Sequence, residues 1–178
     1  MKIERCQGVY EPDDDSYLLI GIEEIKGNLI EIGCGTGIVG LHYAAKGVST
    51  ILVDISREAV NCARKNALLN RIYVGIIRAD MFEGIKGKFD YCIFNPPYLP
   101  EDSPNHASWT GGKKGNEITI RFLGGIRNFS KHAFYIESSL SPIPKDVFEG
   151  LSFETLKKID YEFEELSLVK VTVNAIDR

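Results

Sequence analysis

Long apolar runs are missing from this chain: no stretch approaches the roughly 20 residues that a membrane-spanning helix needs. The opening residues, Met1-Lys2-Ile3-Glu4-Arg5-Cys6, lack the apolar segment of a secretory leader. Positive charge is also scarce. Lys and Arg number 21 against 25 Asp and Glu, so the formal net charge is −4. That balance argues against a broad, sequence-independent grip on nucleic acid, which needs clustered cations to displace counterions. It leaves room for a local basic patch, so nucleic acid as a partner stays open. Cysteine is sparse as well. Cys6, Cys34, Cys62 and Cys92 are widely separated with no C-x-x-C pair, so neither a zinc site nor any other metal site is expected. They read as reduced, mostly buried thiols of a cytoplasmic protein. Repeats, low-complexity tracts and linkers are absent too, and 178 residues suit a single domain with a real core.

Apolar runs alternate with helix-like stretches, a pattern that predicts an α/β fold with a largely parallel sheet. A polar stretch from Val9 to Ser16 leads into a short helix beginning near Tyr17, with Asp15 or Ser16 as its cap and Gly27-Asn28 as its end. Strands are predicted over 29–32, 50–53, 73–77, 91–94 and 132–136, and two more over about 152–157 and 166–173. The acidic link between the last two suits an antiparallel pair. Helices are predicted from about Ile38 to Lys46 with Gly47 as the stop, after a Ser56 cap, from about Asn116 to Asn128, and near Lys145 to Glu149. Residues 95–115 show no periodicity, and structureless stretches of that length are uncommon unless functional or disordered.

Asn95-Pro96-Pro97-Tyr98 follows the apolar run Tyr91-Cys92-Ile93-Phe94. Proline fixes its own φ, donates no hydrogen bond and restricts the residue before it. Asn95 is therefore held extended, and the carbonyls of Asn95 and Pro96 are free acceptors. With the flat face of Tyr98 beside them, they suit a planar –NH2 group on an sp² carbon. The tetrapeptide cannot tell an amide from a nucleobase amine.

A glycine turn, Gly33-Cys34-Gly35-Thr36-Gly37, links the first strand to a helix, where a ligand can approach the backbone. Gly35-x-Gly37-x-x-Gly40, with Asp54 nineteen positions beyond Gly35, matches the dinucleotide pattern of an NAD-dependent oxidoreductase. The other reading is Glu31-x-Gly33-x-Gly35-x-Gly37, the loop of S-adenosylmethionine enzymes. Glu31, Asp54 and Asp80 then lie at successive strand ends around a ligand that carries a sulfonium, an ammonium and many donors. Such an acid-lined cleft would repel a bis-phosphate. Asp54 would take the ribose hydroxyls, and Asp80 an adenine amino group.

With these residues in place the chain resembles the class I S-adenosylmethionine-dependent methyltransferases. More narrowly, it resembles the HemK-type N5-glutamine methyltransferases of peptide-chain release factors, in their short archaeal and eukaryotic branch. Glu31-Ile-Gly-Cys-Gly-Thr-Gly37 and Asn95-Pro-Pro-Tyr98 carry the broad resemblance. The narrow one rests on Val9-Tyr10-Glu11-Pro12 through Asp15-Ser16, and on Trp109-Thr-Gly-Gly112 with Gly115 and Arg121-Phe122. About 28 residues precede the first strand, too few for the N-terminal helical domain of bacterial members, and Lys113-Lys114 makes the loop more basic than the family leads one to expect.

The resemblance implies a Rossmann-like domain whose seven-stranded, mostly parallel sheet runs 3-2-1-4-5-7-6 with an antiparallel last strand and helices on both faces. Residues 1–28 would lie over the cofactor and 95–115 would form the catalytic loop. It implies Asn95, Pro96 and Tyr98 as catalytic residues, with Pro97 also holding substrate. Tyr10, Pro12, Ser16, Glu31, Gly33, Cys34, Gly35, Asp54, Ile55, Asp80, Met81 and Asn95 would bind S-adenosylmethionine, leaving S-adenosylhomocysteine as product. The expected acceptor is the Gly-Gly-Gln glutamine of a release factor. The alternative is an N6-adenine or N2-guanine in RNA or DNA, since an exocyclic amine is chemically close to an amide. A small zinc-binding activator could pair with the exposed third strand, 71–77. His106, in the loop, reads as solvated.

Overall fold

The computed structural model describes residues 1–100 and 111–174. Seven strands form one sheet in the order β3-β2-β1-β4-β5-β7-β6. They are β1 (Asn28–Ile32), β2 (Ser49–Asp54), β3 (Gly75–Arg78), β4 (Phe89–Phe94), β5 (Ser130–Ser138), β6 (Leu151–Asp160) and β7 (Glu165–Val173). β7 runs antiparallel to both its neighbours, and the other pairings are parallel. Strands covered on both faces read as continuous apolar runs, which is why β1 and β4 are plain in the sequence.

Alternation along β1 divides the core. Leu29 faces α1 (Asp14–Ile20) and α2 (Ile38–Ala45), packing with Leu19, Val39, Tyr43, Ile93 and Phe134. Ile30 and Ile32 face the opposite side and α4 (Glu117–Gly125), where they join Phe94, Phe122, Leu123 and Tyr135. Small residues of α3 (Arg57–Leu69), Ala63 and Ala67, let that helix close on Leu41 and Leu52. Each fully buried Leu, Ile or Phe contributes about 1.5–3 kcal/mol. At the strand starts Asn28 and Asp90 clasp one another: the Asn28 amide donates to Asp90 Oδ2 (2.9 Å), and the Asp90 amide to Asn28 Oδ1 (2.5 Å). That clasp sets the register Ile32↔Phe94, so Gly33 and Asn95 leave adjacent strands side by side.

Local details differ from the sequence expectations. α1 is capped by Asp13, whose side chain accepts from the Asp14 amide, and it stops at Ile20 rather than near Gly27. Residues 21–27 are irregular because they drop Ile22 and Ile25 into the core. β3 starts at Gly75 rather than Tyr73; Ile72, Val74 and Ile76 all pack against the α3 cluster, and Tyr73 is left exposed. The stretch after Pro144 makes only a 3-10 turn, Lys145–Val147. Ser56 caps α3 as expected, its Oγ accepting from the Ala59 amide at 3.1 Å.

The largest correction concerns cysteine. Cys6 and Cys62 are joined by a disulfide across 56 positions of sequence, while Cys34 and Cys92 are free and buried. The expectation of four reduced thiols fails because the N-terminal segment folds back along α3, which sequence spacing does not reveal. Two asparagines of α3 hold that segment. Asn66 Oδ1 accepts from the Glu4 amide (2.8 Å) and Asn70 Oδ1 from the Lys2 amide (2.8 Å), and each side-chain amide returns a bond to the same residue's carbonyl.

Candidate functional site

The sheet order places the site. From β1 the chain winds outward to β2 and β3, then returns to β4 on the other side of β1 and continues to β5. Ligands of open α/β sheets bind outside the carboxyl ends of strands at such a reversal. Neighbouring strands are about 4.8 Å apart, so four groups stand in a row there. Asp80 follows β3, Asp54 ends β2, the glycine loop follows β1, and Asn95–Tyr98 follows β4.

The glycine loop is shaped by its own backbone. Gly33, Gly35 and Gly37 have φ values of 64°, 52° and 82°, which side chains rarely adopt. A Cβ on Gly33 would stand 3.0 Å from the Phe94 ring, so this glycine also permits the close approach of β1 and β4. Asp54 closes the loop from β2, its Oδ2 accepting from the Gly35 amide and its Oδ1 from the Ser56 amide, both at 2.9 Å. Burial raises the Asp54 pKa, and these amide bonds partly oppose the rise.

Glu31 lies beneath the loop, fully buried, with Oε2 accepting from the Gly40 amide at 2.9 Å. Burial pushes its pKa up to about 8; the Gly40 bond lowers it and Asp54 adds to the rise. In the unfolded chain the carboxyl titrates near 4.5, so between the two values the folded protein holds a proton that the unfolded chain has lost. The stability associated with Glu31 is therefore complete below about 4.5 and is lost as pH rises through about 8. Urea midpoints measured from pH 5 to 9 should fall with pH in the unliganded protein, and Glu31→Gln should flatten that slope.

A second cluster joins segments far apart in sequence. Asp15 is buried at the start of α1. Its Oδ2 accepts from the Tyr10 hydroxyl (2.8 Å) and the Tyr98 hydroxyl (3.2 Å), while Oδ1 takes the Ser16 amide and hydroxyl. Burial, reinforced by Asp15, pushes both tyrosines well above the usual phenol range, so both remain neutral donors. Sequence reasoning reduces Asp15 to a helix cap. Its placement between Tyr10 and Ser16, two candidate cofactor residues, is the one available signal. The N-terminal segment also covers the loop: Val9 Cγ1 would lie 4.0 Å from a Cβ on Gly35.

Asn95 differs from its surroundings. Its Oδ1 is buried and has no hydrogen-bond partner among the described residues. A buried amide oxygen without a partner costs about 1–3 kcal/mol. Downstream, the Ser141 hydroxyl donates to the Tyr98 carbonyl (2.7 Å) and the Gly111 amide to the Leu99 carbonyl (3.0 Å), which fixes both described ends of the loop. Trp109 and His106 lie outside the described residues.

The remaining predicted residues are placed less uniformly. Asp80 Oδ2 is engaged by Arg121 of α4 at 2.8 Å, a partner that the sequence does not announce. Met81 beside it is buried with φ at 51°, unusual for a residue with a side chain. Ile55 is 62% exposed directly after Asp54, and Cys34 is buried inside the glycine turn. Pro12 lies between Tyr10 and Asp15, half-buried in the same segment.

Comparison with known proteins agrees with this geometry. The family model described as methyltransferase small domain matches residues 6–109. A candidate protein N5-glutamine methyltransferase of Methanocaldococcus jannaschii is 35% identical over 95% of this chain and 94% of its own length. The Mus musculus methyltransferase HEMK2 is 30% identical over 84% and 80% of the two chains. Among solved structures, that of the E. cuniculi Mtq2–Trm112 complex, described as responsible for methylating the translation termination factor eRF1, superposes with a TM-score of 0.72. It has 22% identity and covers 92% of this chain and 98% of that one. At that identity the likeness speaks for the fold.

Proposed function

We propose, from the premise that this chain belongs to the small-domain methyltransferases, that it transfers a methyl group from S-adenosylmethionine to the side-chain amide nitrogen of a protein glutamine. The observation that carries this reading is Asn95 Oδ1, buried at the end of β4, one strand from the glycine loop, and without a hydrogen-bond partner among the described residues. An acceptor kept without a donor is suited to an –NH2 group that arrives with the substrate.

The residues present fit the cofactor. Asp54 and Asp80 stand at successive strand ends where ribose hydroxyls and an adenine amino group would need acceptors, and the exposed Ile55 offers an apolar face to the base between them. Gly33 and Gly35 carry no side chains over the turn, with Cys34 buried between them, Glu31 beneath and Met81 flanking Asp80. Residues 1–28 would bring Tyr10, Pro12 and Ser16 over the cofactor. When bound, S-adenosylmethionine supplies an electrophilic methyl on a positively charged sulfur.

The chain's own work is at the acceptor. An amide nitrogen is a weak nucleophile because its lone pair is delocalised. Asn95 Oδ1 and the Pro96 carbonyl each accept one N–H, which orients the nitrogen and favours the positive charge that develops there. Pro97 keeps the platform stiff, and Tyr98, tied to Asp15, packs on the amide plane. The proton becomes acidic only as the methyl arrives, so no strong base is required. Residues 95–115 would supply the acceptor loop.

The Gly-Gly-Gln of a translation release factor is the acceptor proposed. It is in keeping with the relatives' names and with the eRF1 methylation ascribed to the Mtq2 complex. A small zinc-binding activator is proposed at β3. The opposite edge, β6, carries a bulge between Thr155 and Lys157 and exposes Lys157 and Lys158, the usual protections of an edge. β3 pairs without a bulge and carries one exposed cation, Arg78, beside the open Ile77, and Tyr73 just ahead of the strand is 94% exposed.

The test is one series. S-adenosylmethionine and NAD are titrated by calorimetry, and methyl transfer is then assayed to a Gly-Gly-Gln release factor, to tRNA and to DNA. The expected result is binding of the first cofactor alone and transfer to the factor; transfer to tRNA or DNA in its place overturns the glutamine reading. Full activity from a monomer without added partner removes the proposed activator.

A further inference from the structure

The tip of the β6–β7 hairpin, residues 161–164, carries two aromatic rings that the core does not bury. Phe163 is 82% exposed, and Tyr161 beside it is also exposed. Tight hairpin tips are ordinarily closed by small polar residues. A third exposed ring, Tyr17 of α1, belongs to the same surface: the Tyr161 hydroxyl donates to Asp14 Oδ2 at 2.7 Å, and Asp14 is one helical turn from Tyr17. Acids surround these rings. Asp13, Asp14, Asp160 and Glu162 are exposed. Of the nearby cations, Lys158 is paired with Glu165 at 2.8 Å, and Lys157 is exposed further along β6.

The tip is tied to the acceptor platform by two routes. Tyr161 binds Asp14, and the next residue, Asp15, takes the Tyr98 hydroxyl. On the other side Ser138 Oγ donates to Glu164 Oε1 (2.5 Å), and the Glu165 amide donates to Ser139 Oγ (2.9 Å). Two residues on, Ser141 Oγ holds the Tyr98 carbonyl. The rings therefore stand at a set distance from Asn95, at the same end of the sheet.

We propose that Phe163, Tyr161 and Tyr17 form a docking rim that takes a basic segment of the protein acceptor lying near the residue to be methylated. Exposed aromatics give large contact area at small entropic cost and attract Lys and Arg over their faces. The acids supply the complementary charge. The same charge opposes an RNA backbone. The inference rests on the protein-acceptor reading above and adds how that acceptor is selected.

The test uses the full chain. Wild type, Phe163→Ser and Glu162→Lys are compared on an intact release factor, on a short uncharged peptide containing Gly-Gly-Gln, and on tRNA, with cofactor affinity measured separately. Each variant is expected to raise KM for the intact factor about tenfold, with kcat, the peptide's kcat/KM and cofactor affinity unchanged. Salt should raise the wild-type KM more than that of Glu162→Lys. Methylation of the factor with an unaltered KM in both variants overturns the rim alone. Methylation of tRNA and not of the factor overturns the rim and the glutamine reading together.

Discussion

Asn95→Ala is expected to lower turnover by on the order of 10²–10³-fold while cofactor affinity stays within about threefold and the melting temperature does not fall. The first effect follows from removing an acceptor aimed at a nitrogen that becomes positive in the transition state. The third follows from the folded protein alone. Asn95 Oδ1 is buried and unpartnered among the described residues, so its removal relieves a desolvated dipole instead of breaking a bond. Most truncations at well-packed positions destabilise. Stability that holds or rises while turnover collapses would mark a residue kept for chemistry at a cost to the fold. Single-turnover kinetics, calorimetric titration of the cofactor and a thermal melt read the three quantities. Near-normal turnover in this variant would remove Asn95 from the mechanism.

Replacing both Cys6 and Cys62 by serine is expected to cost about 4 kcal/mol, the loop-closure value for a bridge spanning 56 positions. In a chain of this size that loss lowers the melting temperature by roughly 8–16 °C. The m-value should change too, because the unfolded chain becomes less compact. Function should respond separately. The bridge, together with Asn66 and Asn70, holds the segment that carries Val9 over Gly35 and Tyr10 onto Asp15. Loosening it should weaken cofactor binding several-fold at temperatures where the fold is intact, with kcat on saturating cofactor little changed. Adding a reductant to the wild-type protein should reproduce both shifts. A melt indifferent to reductant and to the double substitution would show that the bond contributes nothing.

How much of the molecule is legible in its sequence depends on the range of the interaction. β1 and β4 are buried on both faces, and their apolar runs announce themselves. Gly33, Gly35 and Gly37 announce a turn for backbone reasons, and two prolines after a buried strand announce a platform. Sheet order comes from family resemblance, since periodicity does not say which strand lies beside which. Contacts between distant segments are not legible. Asp15 looks like any N-terminal helix residue until Tyr98, 83 positions away, is seen to reach it. Asp80 looks free until α4 brings Arg121 to it. Cys6 and Cys62 are two ordinary thiols until the N-terminal segment lies along α3. The sequence pattern starts β3 two residues early because Val74 is as good a strand residue as Ile76 and packs against the same cluster, so neither propensity nor burial marks where pairing with β2 begins.

Under tension the Cys6–Cys62 bond makes the chain shorter than its residue count. An extended polypeptide spans roughly 3.4 Å per residue, so a bridge across 56 positions withholds about 190 Å of contour from anything that pulls on the ends. A protease machine that threads this domain meets a doubled strand between Cys6 and Cys62, and the closed ring must be reduced before it can pass as a single strand. For this chain, resistance to degradation from the N-terminus is then governed by local thiol chemistry as much as by the free energy of the fold.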